Sequence, residues 1–318
     1  MAGRGVPLVV VHGFAAEGLI YAQTLSRLVS MGFKVITIDT AGHGGTATLP
    51  HDGLELAAYS RLLGRAIEEL GIRRAVVAGH SMGGRLVTEL AVQEPDKAVA
   101  VVLIDAVVGA QWDTMVSALR LWPPLFGLLA TAAVVDGLTT VPIGDTGQTT
   151  KLAKLLSRTV WNDVTRPWHL LGPLVSLLRS HDSAPLLDRL AETGVPVFVI
   201  HGSRDWLVPL ATGKDAARRS GGDLVVVNGA PHSWLLQDPE TFASIMGQLL
   251  RGRLGQAYEA ALADAGLDPA SATTDEIEDA LYEPGAPVRA VTPELAWARS
   301  ERPRFPRYRW DHTEAPGT

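Results

Sequence analysis

Residues 75–84, Ala75-Val76-Val77-Ala78-Gly79-His80-Ser81-Met82-Gly83-Gly84, decide the fold of this chain. An apolar run of strand character stops at a serine set among small residues, and a helical pattern begins on its far side. Glycine at 79 and 83 lets the backbone turn tightly without Cβ clashes, which lifts the serine hydroxyl clear of the main chain. From Met82, the apolar residues Leu86, Val87, Leu90 and Ala91 recur at helical spacing until Glu94-Pro95 ends the pattern. Strand, sharp turn and helix in that order make one unit of an α/β fold, with a serine presented at the turn.

The same alternation extends in both directions. Apolar runs predict strands over 6–12, 33–38, 73–79, 99–104, 195–201 and 223–227, with helical patterns between them. Tyr21, Leu25, Leu28 and Val29 mark one helix that ends near Gly32, and Leu56, Leu63, Ile67 and Leu70 mark another that ends near Gly71. The expected architecture is a mostly parallel central sheet with helices on both faces, built from residues 1–105 and 195–251. The interval 106–194 is too long for one crossover, and its leucine-rich segments 119–129 and 170–178 predict an inserted helical cap. Residues 252–318 break the rhythm: an alanine-rich helical segment, an acidic run from Asp275 to Glu283, then five arginines between 299 and 309 form a C-terminal extension. Phe305, Tyr308 and Trp310 among those arginines predict at least one docked contact.

Composition narrows the chemistry. The chain has 318 residues, 47% of them hydrophobic, which is enough for a large core. A net charge of −6 provides no electrostatic footprint for nucleic acid. Without cysteine there is no disulfide, thiolate nucleophile or cysteine-held zinc, and the nine histidines lack metalloprotease spacing, so no metal or other cofactor is expected. The apolar stretch 119–138 is interrupted by Pro123-Pro124 and carries Arg120 and Asp136, which argues against a membrane span. The amino-terminal apolar run is too short for a secretion signal, so a cytoplasmic location is expected.

A serine hydroxyl becomes a nucleophile only when a base takes its proton and a third group orients that base. His232 follows the apolar run Leu224-Val225-Val226-Val227, and Asp205 follows Val197-Phe198-Val199-Ile200. Loops at the carboxyl ends of strands are where open α/β sheets build their sites. Asp105, after the 99–104 strand, is the alternative acid. His80 borders the serine, where packing or a backbone hydrogen bond suits it better than proton transfer.

With Ser81, Asp205 and His232 in this order, together with His12-Gly13-Phe14 and Asp39-Thr40-Ala41-Gly42-His43-Gly44, the chain over about residues 6–250 resembles the α/β-hydrolase family. The resemblance implies a Ser81–His232–Asp205 triad and an oxyanion hole formed by the backbone N–H groups of Phe14 and Met82. It implies esterase- or lipase-like chemistry on a small hydrophobic ester, with thioester, lactone, carbon–carbon bond or peracid chemistry as alternatives on the same apparatus. A non-catalytic binder of small ligands on the same fold is the reading from another class. Phe14, Trp112, Trp122, Trp161, Trp168, Trp206 and Trp234 are the expected pocket residues, although packing suits each tryptophan as well. Relatives usually carry two further strands before the His-Gly strand. The sheet edge left open here is expected to be covered by the extension, through Pro287-Val288-Arg289-Ala290-Val291; self-association or a partner contact through the extension is a further expectation.

Overall fold

The computed structural model describes residues 1–49, 55–122, 124–139, 157, 159, 161–162, 164–180, 183–290 and 305–315. Six parallel strands form its centre: β1 (Val6–Val11), β2 (Phe33–Ile38), β3 (Ala75–His80), β4 (Ala98–Ile104), β5 (Val197–Gly202) and β6 (Asp223–Val227). A seventh, β7 (Trp310–Thr313), runs antiparallel along β6, so the order is β2-β1-β3-β4-β5-β6-β7. Every residue of β1, β3, β4 and β5 is buried, which requires cover on both faces and explains their near-continuous Val, Ile, Leu and Ala content.

Helices supply that cover. α1 (Ala22–Val29) buries Ala22, Leu25 and Leu28, α2 (Leu56–Glu69) buries Leu56, Tyr59, Leu63 and Ile67, and α3 (Met82–Gln93) is buried along nearly its whole length. Of the cap interval, the described helices include α4 (Ala110–Leu121), α5 (Leu125–Thr139), α6 (Leu171–Arg179) and α7 (Ala184–Glu192). The last of these belongs with the core layers: Leu187 and Leu190 are fully buried, and α7 packs on α3 and on α8 (Leu210–Ser220). The core layer therefore begins ahead of residue 194, where the sequence placed the end of the cap.

The C-terminal extension is built into the body. After α9 (Trp234–Gln237) and α10 (Pro239–Arg251) come α11 (Arg253–Asp264), α12 (Thr274–Leu281) and α13 (Pro287–Ala290). Tyr282 is fully buried and donates its hydroxyl proton to the Gly5 carbonyl, while Glu278 accepts from the Gly5 amide and pairs with Arg4. Backbone bonds from Arg73 to Leu281 and from Glu283 to Gly71 complete this seam. Gly5 and Arg73 precede β1 and β3, so α12 and its flanks close the amino-terminal end of the sheet.

One expectation needs correction. Residues 287–290 form a short helix under Leu70 and add no strand beside β1 or β2; Val291 lies outside the described residues. Proline opens that helix, and Val288 buries itself there. The outer edge of β2 is met instead by Ala2, which bridges Val35. The extension does cover an edge, at the opposite side of the sheet, where Trp310 and His312 are half-buried and Asp311 and Thr313 face outward. Among the described residues, no helix is long and apolar enough to cross a membrane.

Candidate active site

The site grows from the carboxyl ends of the strands. Directly after β3, Ser81 has φ 54° and ψ −119°, a left-handed backbone that strains any residue carrying a Cβ. Only two other non-glycine residues among those described have positive φ, Ala15 after β1 and Asp105 after β4. Neighbouring backbone groups hold the serine turn. Ser81 N–H donates to the Ile104 carbonyl at 2.9 Å, and its own carbonyl accepts from Gly84 at 3.0 Å and Val107 at 3.1 Å. The turn closes so tightly that a Cβ on Gly83 would lie 2.2 Å from the Val11 carbonyl oxygen. Ser81 is half-buried, while His80 and Met82 beside it are buried.

His232 follows β6 and Asp205 follows β5, and the two meet. His232 Nδ1 lies 2.6 Å from Asp205 Oδ2, and Oδ1 of the same carboxylate accepts the amides of Leu207 at 2.8 Å and Val208 at 2.7 Å. With the proton on Nδ1, Nε2 of His232 is left as a base. Burial disfavours the charged imidazole, but the charge and hydrogen bond of Asp205, with Asp105 and Asp136 adding to them, outweigh it and push His232 up to about 9. Burial would raise Asp205, yet the His232 charge and hydrogen bond hold it below the usual carboxylate range.

His80 locks this arrangement from the serine side. Its Nε2 donates to the His232 carbonyl at 3.1 Å, and its Nδ1 accepts from the Tyr21 hydroxyl at 2.9 Å. Burial and the adjacent His232 push its pKa down to about 3, so it stays neutral. The bond between His80 and His232 has no signal in the local sequence, because residues 80 and 232 are brought together only by β3 and β6 sharing one sheet.

Phe14 sits on the loop after β1, which His12 fixes by donating from Nδ1 to Gly13 O at 2.8 Å and accepting the Thr40 amide on Nε2 at 2.9 Å. Gly13 approaches Ser81 so closely that a Cβ there would lie 3.0 Å from the serine Cβ. The loop that carries the Phe14 amide therefore lies against the turn that carries Ser81 and the Met82 amide. Neither amide donates to another backbone carbonyl among the described residues.

Asp105 does not bond His232. Its Oδ1 accepts the Gly202 amide at 2.7 Å and its Oδ2 accepts Trp234 Nε1 at 2.8 Å; burial and the Asp205 charge push its pKa well up. Among the described residues, Asp105, His201 and Asp205 form the one group of potential metal ligands, all buried. The carboxylate oxygens are engaged as above and His201 Nε2 donates to the Val208 carbonyl at 2.8 Å, while His201 Nδ1 is buried with no hydrogen-bond partner among the described residues.

The tryptophans divide. Trp234 is fully buried and Trp112 nearly so, both within the core, which corrects their expected place at a pocket wall: each buries an aromatic surface too large to leave wet. Trp122, Trp161 and Trp168 are exposed on the cap interval. Trp206 lines a cavity of about 520 Å³ with Leu128, Val135, Asp136, Arg204 and Tyr308.

The sequence profile of the family described as alpha/beta hydrolase fold matches residues 6–239. A protein of Mycobacterium phage D29 named "Putative non-heme haloperoxidase" is 33% identical over 255 residues, 78% of this chain and 88% of its own. A pimeloyl acyl-carrier-protein methyl ester esterase of Vibrio atlanticus is 27% identical over 228 residues, 69% of this chain and 83% of its own. Among solved structures, a bromoperoxidase from Bacillus anthracis superposes with a TM-score of 0.60 at 22% identity, covering 79% of this chain and 94% of its own, a likeness of fold.

Proposed function

The chain belongs to the α/β-hydrolase family, and on that premise we propose that it is a serine hydrolase cleaving a carboxylic ester with an apolar portion. The observation that carries this reading is the 2.6 Å contact between His232 Nδ1 and Asp205 Oδ2 beside the strained Ser81 turn. His232 takes the hydroxyl proton as Ser81 Oγ attacks the ester carbonyl. The oxyanion that forms is stabilised by the amides of Phe14 and Met82, each contributing roughly 2.7–4 kcal/mol to the barrier reduction. The C–O bond to the alcohol breaks as His232 returns the proton to the leaving oxygen. Water then cleaves the acyl-enzyme by the same steps in reverse roles.

The name of the phage relative favours a second reading on the same residues, in which hydrogen peroxide replaces water at the acyl-enzyme and a peracid leaves. A fluorophosphonate probe tests the shared premise. Stoichiometric modification at Ser81, located by mass spectrometry and lost in Ser81→Ala and His232→Ala, is the expected result. A folded wild-type protein that stays unlabelled points to the ligand-binding alternative. Ester turnover with and without added peroxide then separates hydrolysis from peracid formation.

A further inference from the structure

The 520 Å³ cavity lined by Trp206 is walled by three parts of the chain that lie far apart in sequence. Leu128, Ala132 and Val135 come from α5, Trp206 and Pro231 from the loops after β5 and β6, and Arg307 and Tyr308 from the C-terminal extension. Ser81, Phe14 and Met82 are not among its lining residues. Its volume falls within the usual range of small-molecule sites.

Its chemistry is two-sided. Trp206 is 83% exposed, Leu128 68% and Val135 53%, so three large apolar side chains that would ordinarily be covered face this one space. The polar side holds two guanidinium groups. Arg204 has no side-chain hydrogen bond or ion pair among the described residues. Arg307 spends Nη1 on Gln237 at 2.9 Å, and the rest of its donor fork makes no other hydrogen bond among the described residues. Among the described residues of the lining, Asp136 is the single acid, and one of its contacts is the Ser233 amide at 3.0 Å. Among the described lining residues, two cations against one acid leave one positive charge in excess, which suits a monoanion better than a neutral or dianionic head.

We propose that this cavity binds an apolar chain or ring ending in a carboxylate, the tail against α5 and Trp206 and the head at Arg204 and Arg307. The assignment stands on the cavity alone and does not depend on the hydrolytic reading. An anchored extension is required for it, since Arg307 and Tyr308 are placed by their amides, which both donate to Asp238 Oδ2.

Isothermal titration calorimetry of the full-length protein with decanoate, decan-1-ol and decyl phosphate tests this. Decanoate is expected to bind wild type and Ser81→Ala equally, and more tightly than the other two. Arg204→Ala/Arg307→Ala is expected to weaken decanoate at least tenfold while leaving decan-1-ol unchanged. Ala132→Trp, which fills the cavity from α5 and leaves both arginines in place, is expected to abolish both. Decanoate binding that ignores the arginine pair or survives Ala132→Trp overturns the proposal, as does preference for decyl phosphate. Binding lost in Ser81→Ala would put the ligand in the hydrolytic site instead. Because Ser81→Ala removes any hydrolysis, failure of the catalytic reading leaves these outcomes readable.

Discussion

Asp105 and Asp205 are buried at the ends of neighbouring strands, and hydrogen bonding gives them different work. Asp205 faces His232, whereas both oxygens of Asp105 are taken by Gly202 and Trp234. Asp205→Asn keeps an oxygen for the Leu207 and Val208 amides but loses the carboxylate that fixes the His232 tautomer. Probe labelling and ester turnover are expected to fall by about 10⁴, with little change in melting temperature. In Asp105→Asn, an amide NH₂ would confront one of the two donors, costing roughly 1–3 kcal/mol; melting temperature drops while labelling of the folded fraction persists. A pH series follows from His232. Its neutral form is the base and its pKa is raised, so kcat/KM falls as pH drops through a value above the ordinary 6.5. Asp205→Asn should move that acid limb downward. The same raised pKa gives folding stability that is complete below 6.5 and lost as pH rises through about 9.

At the scale of elements, the βα turn between β3 and α3 leaves no room for a larger residue. Gly83→Ala would set a methyl group 2.2 Å from the Val11 carbonyl oxygen, an approach that backbone atoms cannot absorb without moving β1 away from α3. Both stability and labelling rate are expected to fall, the former by roughly 1–3 kcal/mol, as denaturant unfolding and probe kinetics would register. This element was legible from its residues because its needs are local: glycine for close approach, an apolar run before and helical spacing after. The strand Trp310–Thr313 was not. Four residues beside an arginine-rich run carry too little alternation to announce a strand, and the free edge of β6 induces it by offering hydrogen bonds.

For the whole molecule, the extension acts as part of the core. Leu254, Leu262, Leu281, Tyr282 and Val288 are each at most 1% exposed. Burying them contributes about 1.5–3 kcal/mol apiece, a total comparable to the stability of an ordinary domain. Deleting residues 252–318 is therefore expected to leave the protein insoluble, whereas removal of 305–318 should give a folded protein with a lower melting temperature and concentration-dependent association through the bared β6 edge. Light scattering and thermal unfolding separate the two. The sequence by itself determined the sheet, the order of its first six strands along the chain, and the positions of Ser81, Asp205 and His232, because strand runs and tight turns are written in neighbouring residues. Only the tertiary structure decided which carboxylate faces His232, that His80 holds its carbonyl, that Trp112 and Trp234 are core residues, and which sheet edge the extension covers. Those outcomes depend on contacts between residues as much as 277 positions apart, as in the bond from Tyr282 to Gly5, which no local pattern encodes.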